Sequence, residues 1–161
     1  MRPIRVDAPL PDTILPSADW ADRFEIELPN GQLTPIEAAR LAFAQSPGWV
    51  TALLAVRNRI VGPLGLKTGP RAAGVPVIGL FPVISESDRE AVLGFDDRHL
   101  NFRVVVDIRP NRANGQVIGL TTLVERKNLF GRIYLALVTP FHRVIVPAFL
   151  AKLDRSRLAV N

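Results

Sequence analysis

The chain has 161 residues, enough for one domain that buries a core without disulfides or metals. Hydrophobic residues make up 48% and charged residues 22%, which excludes a disordered chain, and the absence of Cys excludes thiolate metal sites and Cys nucleophiles. The net charge is +5, but 17 of the 20 cations are Arg, scattered from Arg2 to Arg157 without a basic run, so the excess does not point to nucleic acid.

The amino terminus carries Pro3, Pro9, Pro11 and Pro16, too closely spaced for regular structure. Residues 1–17 read as an extended arm and 18–158 as a single domain. Arg23–Leu28 alternates, with Phe24, Ile26 and Leu28 on one face, and predicts a half-buried strand. Thr34-Pro35-Ile36-Glu37 predicts a capped helix start, and that helix runs to about Gln45. A second helix is expected from Trp49 to about Val61, on the spacing of Trp49, Leu53, Val56 and Ile60. Five glycines and three prolines in 62–79 then predict a long loop. Within it, GPLGLKT at Gly62–Thr68 lacks the Gly before Lys67 that a phosphate loop needs.

Strands are expected next at Leu80–Ser85, Ala91–Phe95, His99–Ile108 and Gln116–Arg126. The last helix starts near Asn128–Gly131 and reaches about Arg155. Its expected buried stripe is Phe130, Ile133, Tyr134, Leu137, Phe141, Val144, Ile145 and Ala148. Pro140 and Pro147 should bend it in one direction. With these prolines and His142–Arg143 interrupting the apolar run, no membrane-spanning helix is expected, since one needs about 20 predominantly apolar residues. No signal peptide is read at the amino terminus, and elimination leaves a cytoplasmic, bacterial-type protein.

A block of antiparallel strands followed by a long helix predicts an α+β fold, with a curved antiparallel sheet wrapped around the carboxy-terminal helix. Such a helix-grip layout leaves room for a cavity between helix and sheet.

Three functional readings follow. In the first, a small, largely apolar or aromatic ligand sits in that cavity. Leu100, Phe102, Leu120, Val124, Leu137 and Phe141 form its wall, Thr122 and Tyr134 orient it, and His142 lines the pocket. In the second, Asp97 and His99 act as acid and base with Arg103 as an anion partner, in a cyclase- or isomerase-like enzyme. Spacing favours a plain turn for Asp96-Asp97-Arg98-His99, and alternation turns His99 and Arg103 away from Leu100 and Phe102. Arg103 and Asp107 fit cross-strand ion pairs. In the third, the chain is an interaction module that forms a homodimer through the polar sheet face or the arm. No cofactor and no metal is expected.

The run Gly94-Phe95-Asp96-Asp97-Arg98-His99-Leu100-Asn101-Phe102-Arg103 resembles a bacterial family catalogued as domain of unknown function 2867. So do Thr121-Thr122, Asn128, Gly131-Arg132, Tyr134-Leu135, Pro140-Phe141-His142 and, upstream, Gly79-Leu80-Phe81-Pro82-Val83. The resemblance covers roughly 18–153 and departs at two positions: Asn101 stands where Asp is usual, and Lys127 where His is frequent. It implies a layout similar to lipid-transfer, polyketide-cyclase and birch-pollen-allergen-like proteins, and it assigns no catalytic residue.

Overall fold

The computed structural model describes residues 1–43, 48, 52, 55, 59, 74–79, 81–112 and 114–158. The helix expected over 49–61 and the phosphate-loop near miss at 62–68 lie outside the described residues, apart from isolated positions in the former.

Seven strands form one antiparallel sheet in the order β1-β2-β7-β6-β5-β4-β3. They are β1 (Ile4–Val6), β2 (Trp20–Leu28), β3 (Val77–Ile78), β4 (Phe81–Glu86), β5 (Glu90–Asp96), β6 (Leu100–Pro110) and β7 (Gln116–Arg126). The helices are α1 (Pro35–Phe43) and α2 (Leu129–Leu158). The architecture is α+β and helix-grip-like: strands β3 to β7 form a meander, and β2 returns from the start of the chain to pair with β7.

Two strands had no counterpart in the sequence reading. β1 pairs with β2 through Ile4↔Glu25, so the arm begins as a sheet edge, and β3 falls in the region read as loop. Both are short, and a two- or three-residue strand has no alternation to detect.

Each face of the sheet has its own packing. On the inner face Phe24, Ile26, Leu28, Leu93, Val104, Val106, Ile118 and Leu120 pack against α1 and the second half of α2. On the outer face Val92, Val105 and Leu123 are covered by Ile14 and Leu15 of the arm and by Ala18 just after it. Burying the arm's apolar side chains offsets the entropy of ordering so proline-rich a segment.

α1 starts as the sequence predicts. The Thr34 amide donates to Glu37 Oε2 (2.9 Å) and the Glu37 amide to Thr34 Oγ1 (3.3 Å), a reciprocal capping box. The Glu37 carboxyl is held below its ordinary range, first by the bond from the Thr34 backbone.

The expected stripe of α2 is corrected. Leu135, Val146, Phe149, Leu150 and Leu153 are buried, whereas Ile133, Leu137, Phe141 and Val144 are exposed. Leu137 and Phe141 therefore form no wall against the sheet. The reason is compositional: α2 is apolar on both sides, so a period of 3.6 fits more than one face and packing chooses between them.

The helix also runs on through Pro140 and Pro147. The carbonyls that these prolines leave without a helical donor belong to Ala136 and Arg143, both exposed residues that water can serve. The expectation of an interrupted apolar run is corrected accordingly. Over Leu129–Asp154, mean hydropathy 1.6, α2 is long and apolar enough to cross a membrane by length and composition. The same helix supplies Leu150 and Leu153 to the inner core, while 22% of that apolar window is buried in the structure.

Candidate functional site

The inner face carries one polar interruption. Along β2, alternation places Trp20, Asp22, Phe24, Ile26 and Leu28 on the side of α2, so a carboxylate occupies an apolar-face position. Asp22 is 2% exposed. Its register partner on β7 is Thr122, also 2% exposed, and side chains opposite one another across a ladder point the same way.

α2 lays His142 over this pair. The buried residues of the helix include Leu135, Val146, Phe149 and Leu153, and His142, its side chain 16% exposed, falls on the same face where a hydrophobe would otherwise sit. Its ring meets the Trp20 ring edge-on, with centroids 5.5 Å apart. His142 Nε2 lies 4.0 Å from Asp22 Oδ2, beyond hydrogen-bond reach. The other carboxylate oxygen, Oδ1, accepts from Arg5 Nε at 2.6 Å.

In this cluster three buried atoms, Asp22 Oδ2, Thr122 Oγ1 and His142 Nε2, have no hydrogen-bond partner among the described residues, a condition that Asp97 Oδ2 and Asn101 Oδ1 share elsewhere. An unsatisfied buried polar group costs about 1–3 kcal/mol, so such a group is retained for a reason. Burial pushes the imidazole of His142 down to about 4. Asp22 opposes that shift, and Arg143 and Arg5 add to it. His142 is therefore neutral at pH 7, able to donate or accept one hydrogen bond at Nε2 according to tautomer.

Next to this site stands an aromatic cluster. Trp20, Phe95, Phe102 and Tyr134, all half-buried, pack on Leu100, Val124 and Leu135. Of the ligand-site residues read from sequence, Thr122 and His142 thus meet at one place, with Phe102 and Tyr134 in the adjoining cluster. Leu120, 1% exposed, is packed in the core, and Leu137 and Phe141 face outward. Asp22 falls outside the strand read from sequence, which starts at Arg23, three residues after β2 begins at Trp20. Extending the alternation by one position would have put a carboxylate among apolar partners, which is the signal.

The acid–base candidates are placed in a turn. Asp97, Arg98 and His99 connect β5 to β6, where the Asp97 amide donates to the Leu100 carbonyl and the Arg98 amide to Asp97 Oδ1. Asn128 Nδ2 lies 3.1 Å from His99 Nδ1, and Asn128 Oδ1 accepts from the Gly131 amide, capping α2. Lys127 Nζ donates to the Asp97 carbonyl at 2.8 Å. Arg103 points elsewhere, to Asp96 Oδ1 at 2.7 Å and the Phe95 carbonyl. Asp97, His99 and Arg103 thus do not converge: Asp97 and His99 tie the β5–β6 turn to the start of α2, and Arg103 pairs with Asp96. Asn101 donates to Glu125 Oε2 at 2.7 Å, opposite it across the ladder, where an Asp would be repelled.

The outer face holds an ion network and an open cavity of ≈ 510 Å³ beneath the arm, lined by Asp7, Asp12, Arg23, Glu25, Arg109 and Thr121 among others. This cavity lies on the far side of the sheet from α2. Arg23 reaches across β7 to Asp107 with two bonds, of 2.6 and 2.8 Å, and also donates to Glu25 and Thr121. Bonding to Asp107 holds its guanidinium above the ordinary value against the opposing effect of burial. Gly119 makes this crossing possible, since a Cβ there would sit 2.2 Å from Arg23 Nη2. All five Arg23 donors are engaged within the protein, so this residue braces the sheet.

The fold and site together define an α+β helix-grip-like domain with a buried polar cluster between sheet and helix. The chain belongs to the family described as Protein of unknown function (DUF2867), whose model matches residues 14–149. No curated protein and no solved structure matches it.

Proposed function

We propose that the protein binds a small, largely apolar molecule between α2 and the sheet, with the molecule's polar end held by Asp22, Thr122 and His142. The observation that carries this reading is the set of three buried, unpartnered polar atoms on facing elements. A hydroxyl or amine on the ligand would donate to Asp22 Oδ2 and engage Thr122 and His142. The half-buried rings of Trp20, Phe95, Phe102 and Tyr134 offer an apolar body its contacts. The reading requires no chemistry, only complementary hydrogen bonds in a dry site. A cyclase- or isomerase-like reaction through Asp97, His99 and Arg103 gains no support from their bonding in the turn.

Native mass spectrometry of the purified chain, titrated with a long-chain primary amine and a long-chain alcohol, tests the proposal. An adduct of defined mass is expected on the parent protein, weakened in both Thr122→Val and His142→Leu. A parent protein that takes up neither probe and carries no co-purified adduct overturns it. Adducts that bind both variants as well as the parent overturn it equally.

A further inference from the structure

We infer that the outward face of α2 docks on an anionic lipid surface, lying in the interface without crossing it. The inference is independent of the ligand site, which lies on the helix's other side.

Exposure is the first observation. Leu129 is 72% exposed, Leu137 60% and Val144 60%, with Ile133 and Phe141 about half exposed. These five recur every three to four residues, so they form one stripe along some four turns of helix. Singly exposed hydrophobes are ordinary, but a continuous stripe of large ones on one face marks an interaction surface. The opposite face packs into the core through Leu135, Val146, Leu150 and Leu153, so a helix lying in the interface keeps these contacts and a spanning one would lose them.

Charge selects the occupant. From Arg126 to Lys152 the chain has five cations and no acidic residue. Arg132 and Arg143 are exposed alongside the stripe near its two ends, and Lys127 is exposed just before it. An apolar stripe flanked by cations is what an interfacial helix presents to anionic headgroups.

A second copy of the chain fits less well. Arg132 and Arg143 lie on the same side of the stripe, so a face-to-face antiparallel pair would gather these cations from both copies along one edge. An anionic surface complements them instead.

Flotation of the full chain with vesicles is the test, comparing phosphatidylcholine alone with phosphatidylcholine mixed with phosphatidylserine. Binding is expected on the mixed vesicles and should weaken as salt is raised. Arg132→Gln with Arg143→Gln should lower partitioning about thirty-fold, and Leu137→Glu at least about ten-fold. Circular dichroism and melting establish that each variant is folded, and the arginine pair decides the matter if Leu137→Glu is not. No binding to mixed vesicles, or binding that both variants leave unchanged, overturns the inference. Light scattering that shows a dimer dissolved by Leu137→Glu assigns the face to a second copy and overturns it too.

Discussion

His142 Nε2 and Asp22 Oδ2 face each other at 4.0 Å across the boundary between α2 and the sheet, each buried. Because burial holds the imidazole near 4 in the folded chain, well below its ordinary 6.5, the unfolded chain binds the extra proton first as pH falls. Stability contributed by the neutral ring is thus complete above about pH 6.5 and is lost as pH drops toward 4. The loss is on the order of 3 kcal/mol at most. Urea denaturation of the parent and His142→Phe at several pH values checks this: the difference between them should change across that window and flatten above it.

Arg23 and Arg109 both bond to Glu25, yet they should differ in weight. Arg23 is largely buried and engages Asp107, Glu25 and Thr121, whereas the Arg109 side chain is about half exposed and engages Glu25. Arg23→Ala leaves the Asp107 carboxylate without its partner and should cost about 3 kcal/mol. Arg109→Ala should cost no more than about 1 kcal/mol, because solvent screens an exposed pair. Midpoints of urea unfolding distinguish the two.

Gly94 sits in β5 opposite Arg103 with φ +149°, and a Cβ there would lie 2.1 Å from the Phe102 carbonyl oxygen. Nothing flexible can move aside, since the neighbour is backbone of the paired strand. Gly94→Ala should therefore break the β5–β6 ladder locally, at a cost of about 3 kcal/mol or more. Hydrogen exchange at the amides of Phe95 and Arg103 should accelerate relative to that at β7.

The Thr34–Glu37 capping box is exposed, so its removal can be read without core effects. Thr34→Ala should lower stability by about 1 kcal/mol. Thr34→Ser should restore most of it, as followed by thermal melting.

Much of this fold was legible in the sequence because the relevant forces are local. The alternation at Leu100–Ile108 and Gln116–Arg126 is the pleat itself, and Thr34-Pro35-Ile36-Glu37 carries its own bonds. Two of the three candidate-site residues, Thr122 and His142, were also among those read from the sequence. Asp22 was not: a carboxylate is read as solvent-facing until the partner strand shows which side it occupies. The turn residues Asp97 and His99 looked chemical because acids and imidazoles cluster there, and only their bonds to Leu100, Asn128 and the backbone revealed a joint.

By itself the sequence determined the fold class, the order of the long strands and the start of each described helix, all set by periodicity and capping within a dozen residues. It also carried the family, through motifs spread along most of the chain. Tertiary structure alone decided which face of α2 is buried, that the arm closes the outer face, and that Asp22, Thr122 and His142 meet. Those outcomes depend on contacts distant in sequence: Asp22 lies 100 positions from Thr122 and 120 from His142. An α2 that is apolar on both sides holds no internal record of which side the sheet will take.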